Sequence, residues 1–211
     1  MCCRYYMEMS PDLREIIEET NRASLKGSMV NTLGKPFKTE GEIRPTDMVP
    51  VIASSRSGDK RAFPMVWGYH VAGLSQPVVN ARSETARDKS AFKDSWASHR
   101  CVIPASWYYE WEHLKRPDGK VKTGDKYLIQ SKGSGLAWLA GLYRIEETRG
   151  LSYPVFTILT REASADLQTI HDRMPLILPG DAIDAWINPK ADPHTLVRRA
   201  VTDMVFERTA G

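Results

Sequence analysis

The chain has 211 residues, of which 42% are hydrophobic and 26% charged, with a formal net charge of +3. This composition is that of an ordinary soluble globular protein, and the mild basicity permits a nucleic-acid partner without demanding one. Three cysteines, two of them adjacent, make no disulfide framework or zinc cluster, so we expect a reducing compartment. No apolar run reaches membrane-spanning length and no signal-peptide core is present, which predicts a cytoplasmic protein with no membrane partner.

The first part of the chain is predicted to form a helix and then a hairpin. Ser10 is a suitable N-cap for a helix with apolar residues at helical spacing, and Gly27 is a suitable stop. Glycines and prolines across 28–47 indicate an ordered loop. The segments 48–53 and 62–69 are then predicted as paired strands around a polar tip.

Strands dominate the prediction for the rest of the chain. A short helix with Trp96 on its apolar face precedes them. The β-prone segments lie at 101–103, 107–111, 127–130, 136–145, 153–160, 174–178 and 204–207. We also predict a turn over 117–120, a helix over 163–170 and a last helix capped by Asp181. Because strands and helices do not alternate regularly, we expect one β-rich α+β domain over 1–211, with mostly antiparallel strands and peripheral helices.

The first four residues, Met1-Cys2-Cys3-Arg4, carry the first chemical signal. Removal of Met1 would leave Cys2 with a thiol and a free α-amine on adjacent carbons. The amine, with a typical pKa of about 8, condenses with aldehydes, and the thiol then closes on the imine to give a thiazolidine. A cysteine at position 2 also occurs by accident, so these residues alone leave both interpretations open.

Three polar residues stand in apolar or aromatic surroundings. Glu110 lies between Tyr109 and Trp111, where burial would raise its pKa and suit it to proton transfer, although strand alternation could point it to solvent. Asn80 is either a turn or cap residue or an amide that holds a carbonyl or a reacting intermediate. His171 suits proton transfer, with a solvated loop as the alternative.

The remaining candidates are predicted to be structural. Cys101 starts a hydrophobic strand and is expected in the core, whereas the role of Cys3 stays open. The other histidines have no matching partners in the sequence and are predicted to be surface or structural residues: His70, His99, His113 and His194.

Six segments occur in one order along the chain: Met1-Cys2-x-Arg4, Arg44-Pro45-Thr46, Val66-Trp67-Gly68, Asn80-Ala81-Arg82-Ser83-Glu84-Thr85, Trp107-Tyr108-Tyr109-Glu110-Trp111 and Ile170-His171-Asp172-Arg173-Met174-Pro175. Together they resemble the SRAP family, named for SOS-response-associated peptidases, whose members shield abasic sites in single-stranded DNA. Each segment alone is weak, but the ordered set is specific and spans most of the chain. The resemblance implies an SRAP-like fold.

The resemblance also implies residue roles. Cys2 would form the thiazolidine with the ring-opened sugar, and Asn80 would orient the terminal residue. Glu110 would shuttle protons, and His171 would protonate or hold the sugar oxygen released on ring opening. The positions that match phosphate contacts are Arg4, Arg82 and Arg173, with Thr160 as a further candidate of the same kind. No metal or cofactor is implied.

The resulting expectation is a monomeric DNA-repair protein that crosslinks covalently to abasic sites in single-stranded DNA. An associated abasic-site lyase activity, through β-elimination, is also considered. The resemblance admits replication-associated proteins as further partners, and a nucleoid location in a bacterium. Two alternatives stay open. One is an N-terminal-nucleophile cysteine peptidase or hydrolase that could remove its own Met1. The other is a noncovalent single-stranded-DNA-binding module.

Two positions depart from the family pattern. Cys3 stands where the family has glycine, as either a crowding side chain or a second thiol. After Gly68 the tryptophan-rich loop of the family is replaced by residues 69–75. If this loop wedges between bases, Leu74 or His70 must do so, which leaves the preference for strand–duplex junctions open. A retained Met1 would block the α-amine.

Overall fold

The structure, a computed structural model, describes residues 2–115, 119–133 and 135–209. Within these ranges the strands are β1 (Arg4–Met7), β2 (Gly41–Ile43), β3 (Met48–Ser54), β4 (Lys60–Trp67), β5 (Asn80–Arg82), β6 (Arg100–Ala105), β7 (Trp107–Lys115), β8 (Val121–Ser131), β9 (Ala137–Thr148), β10 (Leu151–Glu162), β11 (Arg173–Pro175), β12 (Ile177–Leu178) and β13 (Met204–Arg208). The α-helices are α1 (Pro11–Arg22), α2 (Ser24–Leu33), α3 (Lys93–Ser98), α4 (Ile183–Ile187) and α5 (Pro193–Val197). The predicted β-rich α+β class is confirmed.

The strands form two sheets. Five of them follow the order β13-β8-β7-β1-β2. The other eight follow the order β11-β10-β4-β3-β6-β9-β12, with β5 added on β10. Because β10 also pairs with β9, the strands β10, β4, β3, β6 and β9 form a closed, barrel-like ring. The pairings of β10 with β4 and β5 are parallel and the others are antiparallel, as expected for the fold.

The larger core cluster joins the two sheets. On β1 and β7 the buried side chains alternate with partly exposed ones, so Tyr5 and Tyr108 point inward. Tyr5 contacts Trp67 of the barrel, with ring centroids 5.3 Å apart. Cys101 is fully buried in the same cluster, which confirms its predicted place in the core. The same alternation turns Glu110 inward and leaves Tyr109 on the opposite face.

The N-terminal helical region is longer than predicted. The Ser10 side chain accepts a hydrogen bond from Leu13 N at 3.2 Å, so the predicted cap is confirmed. However, α1 ends at Arg22 and α2 follows it, so the prediction of a loop from residue 28 was wrong. Packing favours α2, because Met29 is fully buried in the second core cluster. No helix among the described residues is both long enough and apolar enough to cross a bilayer.

Two helix predictions in the C-terminal part were wrong. Residues 163–170 contain only a 3-10 turn at Ala165–Leu167. Asp181 does not cap a helix, since it lies in the 3-10 turn Gly180–Ala182 before α4 and pairs with Arg199 at 2.7 Å. The segment predicted as one strand at 174–178 forms the short strands β11 and β12. Of the turn predicted over 117–120, residues 117 and 118 lie outside the described ranges.

Candidate active site

Four residues from distant parts of the chain converge on one site. Cys2 precedes β1, Asn80 begins β5, Glu110 lies in β7 and His171 precedes β11. The antiparallel pairing of β1 with β7 places Arg4 opposite Tyr109, which carries Cys2 toward Glu110. The structure therefore brings together all four residues that the sequence predicted as catalytic.

Asn80 fixes the backbone of Cys2. Its Nδ2 donates a hydrogen bond to the Cys2 carbonyl oxygen at 2.7 Å. Asn80 is held by the parallel pairing of β5 on β10, where it lies opposite Ile158. An amide donor aimed at a backbone carbonyl orients the residue without adding a charge to the site.

Glu110 is a buried carboxyl beside Cys2. Only 3% of its surface is exposed, and burial raises its pKa above the ordinary value for glutamate. Its Oε1 accepts a long hydrogen bond of 3.4 Å from Trp111 N. A carboxyl with a raised pKa is able to give and take protons near neutral pH. Of the two interpretations open from sequence, the buried one is confirmed.

The Cys2 thiol is buried and protonated. It is fully shielded from solvent, and its Sγ donates a hydrogen bond to the Arg4 carbonyl oxygen at 3.7 Å. Burial raises its pKa well above the ordinary value, and the nearby Glu110 carboxylate raises the pKa further. Because the thiolate is the nucleophile, this thiol needs a base at the moment of attack.

His171 is held as a neutral imidazole. Its Nδ1 accepts a hydrogen bond from Arg173 N at 2.9 Å, so the ring proton resides on Nε2. Nε2 faces Glu110 Oε1 at a distance of 4.0 Å. Burial, reinforced by the charge of His113, lowers the pKa of His171 to about 4. The ring is therefore an uncharged donor beside the Glu110 carboxyl at neutral pH.

Two histidines that were predicted to lack partners have them. The rings of His113 and His171 lie with centroids 3.9 Å apart, and His113 N donates to the Ile170 carbonyl oxygen at 2.8 Å. His70 Nδ1 lies 2.6 Å from Glu146 Oε2. Sequence spacing could not reveal either pair, because the partners are 58 and 76 residues apart.

The predicted phosphate-binding residues differ in availability. Arg82 is exposed on β5 and has no ion pair within the described residues. Arg4 pairs with Glu42 Oε1 at 3.3 Å and stacks 5.3 Å above the Trp111 ring. Arg82 is thus the most accessible cation at the site.

Arg173 and Thr160 form a connected pair. The Arg173 guanidinium binds Glu84 with two hydrogen bonds of 2.8 and 2.9 Å, and Nη2 also donates to the Thr160 carbonyl oxygen at 2.9 Å. Only 12% of the Arg173 side chain is exposed, and Thr160 is fully buried. Their positions favour support of the His171 loop over direct contact with a strand.

An aromatic and cationic face lies on the other side of the five-stranded sheet. Lys126 Nζ sits 3.8 Å above the Tyr109 ring and 5.7 Å from the Trp111 ring. The Glu42 carboxylate holds the neighbouring Arg44 at 2.6 Å and Lys126 at 3.7 Å. Lys126 was missed from sequence, although its cross-strand position opposite Trp111 follows from the pairing of β7 with β8.

The loop after Gly68 and the second cysteine depart from the family pattern and are both visible in the structure. Leu74 at the loop is 60% exposed. Cys3 is half-buried, and burial followed by the Glu110 carboxylate raises the pKa of its thiol. A second protonated thiol therefore lies close to the site.

Sequence comparisons identify relatives of the chain. Abasic site processing protein YoaM of Bacillus subtilis is 44% identical over 119 residues, covering 56% of this chain and 50% of YoaM. Abasic site processing protein YedK of Escherichia coli is 30% identical over 142 residues, covering 65% and 60%. Abasic site processing protein HMCES of Gallus gallus is 31% identical over 144 residues, covering 57% and 42%. The matched parts thus span about half the length of these relatives.

Solved structures share the fold. A crystallised protein from Bacteroides thetaiotaomicron aligns with a TM-score of 0.75 at 19% identity, covering 100% of this chain and 93% of that protein. A Bordetella bronchiseptica protein aligns with a TM-score of 0.68 at 21% identity, covering 100% of both. The family model described as SOS response associated peptidase (SRAP) matches residues 1–208. The chain therefore belongs to the SRAP family.

Proposed function

We propose that this protein recognises abasic sites in single-stranded DNA and forms a covalent thiazolidine crosslink through Cys2. The observation that carries the proposal is the hydrogen bond of 2.7 Å from Asn80 to Cys2, made where Glu110 and His171 meet. The names of the bacterial and vertebrate relatives, abasic site processing proteins, support the same substrate. An abasic sugar suits this site because its ring opens to an aldehyde.

The reaction begins with the amine. Once Met1 is removed, the Cys2 α-amine attacks the aldehyde carbon of the ring-opened sugar and forms a C–N bond. His171 donates its Nε2 hydrogen bond to the sugar oxygen that ring opening releases. Protonated Glu110 gives its proton to the hydroxyl of the carbinolamine, which leaves as water and yields the imine.

The thiol completes the adduct. The Glu110 carboxylate, left by the first step, accepts the Cys2 thiol proton as sulfur adds to the imine carbon. The imine nitrogen takes up a proton as its double bond becomes single, and a five-membered ring is closed. A single carboxyl thus acts first as an acid and then as a base, which its raised pKa permits.

A lyase branch is available to the same intermediate. If a base takes a proton from the sugar carbon next to the imine, the electrons eject the 3′ phosphate by β-elimination and the strand is cut. Closure of the thiazolidine removes the imine and therefore suppresses this branch. The crosslink and the cut are consequently alternative fates of one imine.

Binding of the strand is assigned to cations around the site. Arginines contact phosphates without reading base sequence, which suits a lesion that has lost its base. Exposed Arg82 is the first candidate, with Arg4 beside it and Arg173 in support. A single strand is favoured because the buried Cys2 must reach an unpaired sugar. We infer a nucleoid location if the host is bacterial.

The test is adduct formation on an oligonucleotide that carries one abasic site. Processed wild-type protein is expected to give a heat-resistant band on a denaturing gel, and Cys2→Ala none. Cys2→Ser keeps the amine and is expected to form an imine that borohydride traps but heat reverses. Cys3→Gly, which restores the family residue, is the matched control and should crosslink. An undiminished heat-resistant adduct from Cys2→Ala would refute the proposal.

Self-removal of Met1 is a second candidate activity, favoured by the raised pKa of Glu110 beside the Cys2 thiol. The thiol would attack the Met1 carbonyl, the C–N bond would break as the amine takes a proton, and water would hydrolyse the thioester. Mass spectrometry of protein made without methionine aminopeptidase checks this. Self-processing predicts loss of methionine in the wild type and its retention in Glu110→Gln. Equal retention in both would rule it out.

A further inference from the structure

Three potential metal ligands lie together at the edge of the site. One ligand atom from each of His113, His171 and Asp172 falls within 4.8 Å of the other two. His113 and Asp172 are exposed, so an ion from solvent has access to the group. His171 is the buried member and also the one that faces Glu110.

The backbone holds these ligands in place. The pairing of β7 with β8 shifts register between Trp111 and His113, and this irregularity turns His113 toward the His171 loop. His113 N then donates to the Ile170 carbonyl oxygen at 2.8 Å, directly before His171. The two rings are thereby stacked at 3.9 Å between centroids. The cluster is thus built by two independent strands and is not a chance meeting of surface side chains.

The donor set suits a transition metal of the zinc class. Two imidazoles and one carboxylate bind Zn²⁺ at about 2.0–2.2 Å, which needs ligand atoms roughly 3–4 Å apart and so only a small movement here. His171 Nδ1 already lies 2.9 Å from Asp172 Oδ1. Zinc-bound histidines commonly place a carboxylate at the other ring nitrogen, and Glu110 occupies that position at 4.0 Å from Nε2.

We propose that His113, His171 and Asp172 form a site for Zn²⁺ or a similar divalent cation, and that its occupation reversibly blocks crosslinking. The block rests on the proposed function, whereas the binding does not. His171 is neutral at pH 7, since its pKa is about 4, so no proton must leave before the metal binds.

The block follows from what the metal takes from His171. The ion replaces the Arg173 backbone N–H as the partner of Nδ1, and it directs Nε2–H to the Glu110 carboxylate. His171 then no longer assists the sugar oxygen, and Glu110 is drawn into an ion-paired network. A positive ion at this place also favours the ionised form of Glu110, which cannot act as the acid.

Binding is tested directly with Zn²⁺ in competition with a chromophoric chelator, and with Co²⁺ through its visible ligand-field bands. The protein carries Cys2→Ser and Cys3→Ser, because thiolates would bind these ions themselves. His113→Phe keeps the ring contact but removes the nitrogen, and is expected to weaken binding by more than the roughly 10–100-fold typical of outer-shell partners. Asp172→Asn should also weaken it. His194→Phe, which alters a ring contact at Trp96, is the matched control and should bind like the parent.

Adduct formation with the native cysteines supplies the second arm. Zn²⁺ is expected to slow crosslinking, EDTA to restore it, and His113→Phe to crosslink at the wild-type rate with little response to Zn²⁺. Equal Zn²⁺ affinity of His113→Phe and its parent would overturn the proposal, even if crosslinking is normal. Absence of any adduct in metal-free wild type would instead refute the proposed function and leave the binding result intact.

Discussion

Asn80 Nδ2 donates to the carbonyl oxygen of Cys2 across 2.7 Å, and this bond links residues 78 positions apart in sequence. It fixes the direction from which the Cys2 amine and thiol approach a substrate. The bond is made to the backbone, so it persists whichever chemical form the Cys2 side chain adopts. Asn80 is therefore a positioning residue that acts throughout the reaction.

Asn80→Ala is expected to slow crosslinking while leaving the thiol intact. A neutral hydrogen bond is worth about 1 kcal/mol, which corresponds to roughly a fivefold loss of rate. Asn80→Asp should lose more, because a carboxylate would face the Cys2 carbonyl oxygen. The initial rate of adduct formation is the measurement, with Asn31→Ala on exposed α2 as control. Wild-type rates for both Asn80 variants would show that the bond does not position Cys2.

Glu110→Gln should stabilise the fold at neutral pH while it abolishes efficient crosslinking. The pKa of Glu110 is raised by burial, so its contribution to stability is full below the unfolded pKa and is lost as pH rises through the folded pKa. An uncharged glutamine avoids that loss. A gain of about 1 kcal/mol would raise Tm by about 2–4 °C.

Thermal unfolding of Glu110→Gln at acid and neutral pH checks this expectation. The gain should be present at neutral pH and absent at acid pH, where the wild-type carboxyl is already protonated. Glu207→Gln on exposed β13 is the control and should change little at either pH. A lower Tm of Glu110→Gln at neutral pH would mean that the charged carboxylate stabilises the fold.

His171 is expected to weaken the fold in acid. Its pKa falls from 6.5 to about 4 on folding because the ring is buried. The unfolded chain therefore binds more protons in this window, and stability is lost as pH falls from about 6.5 to about 4. His171→Gln should lose less stability over the same interval in urea titrations. A steeper acid loss in that variant than in wild type would contradict the assignment, and His99→Gln is the control.

Arg82 should contribute to strand binding through charge. Each phosphate contact on a single strand adds about 0.7 to the slope of log K against log salt. Arg82→Gln is expected to weaken binding and to reduce the slope by about that amount. Fluorescence anisotropy over a salt series measures both quantities. Arg56→Gln at the exposed hairpin tip is the matched control, and an equal effect of both changes would point to bulk charge alone.

Leu74 should decide the preference for strand–duplex junctions. It is 60% exposed in the loop after Gly68, where an apolar wedge could insert beside an unpaired base. Leu74→Ser is expected to reduce adduct yield on a junction substrate while leaving plain single strands unaffected. Ile145→Ser, at 57% exposure on β9, provides the control. A uniform loss on both substrates would indicate damage to the loop instead of loss of a wedge.

The parts of the site that follow local rules were predictable. A carboxyl between two aromatics in a strand faces one side while they face the other, and the burial of Tyr108 shows why Glu110 points inward. The cap at Ser10 is equally local. By contrast, α2 contains Ser28, Asn31 and Thr32, which have modest helix propensity, and it is packing of Met29 that favours it.

Long-range contacts account for what the sequence did not reveal. The stacking of His113 on His171 depends on a register shift in β7 and on one backbone hydrogen bond to Ile170. The place of Lys126 over Tyr109 depends on the pairing of β7 with β8. Neither leaves a periodic pattern, because strand register is set by contacts between segments distant in the chain.

The parallel pairing of β5 on β10 has a consequence for the order in which the protein matures. A slip of one residue there would turn Asn80 to the opposite face and away from Cys2. Parallel strands close late, because long loops must be ordered before the contacts form. The reactive terminus is therefore oriented only when residues 2, 80, 110 and 171 have all met. A partly folded chain carries the same aminothiol without the groups that direct it, which restricts efficient aldehyde capture to the finished molecule.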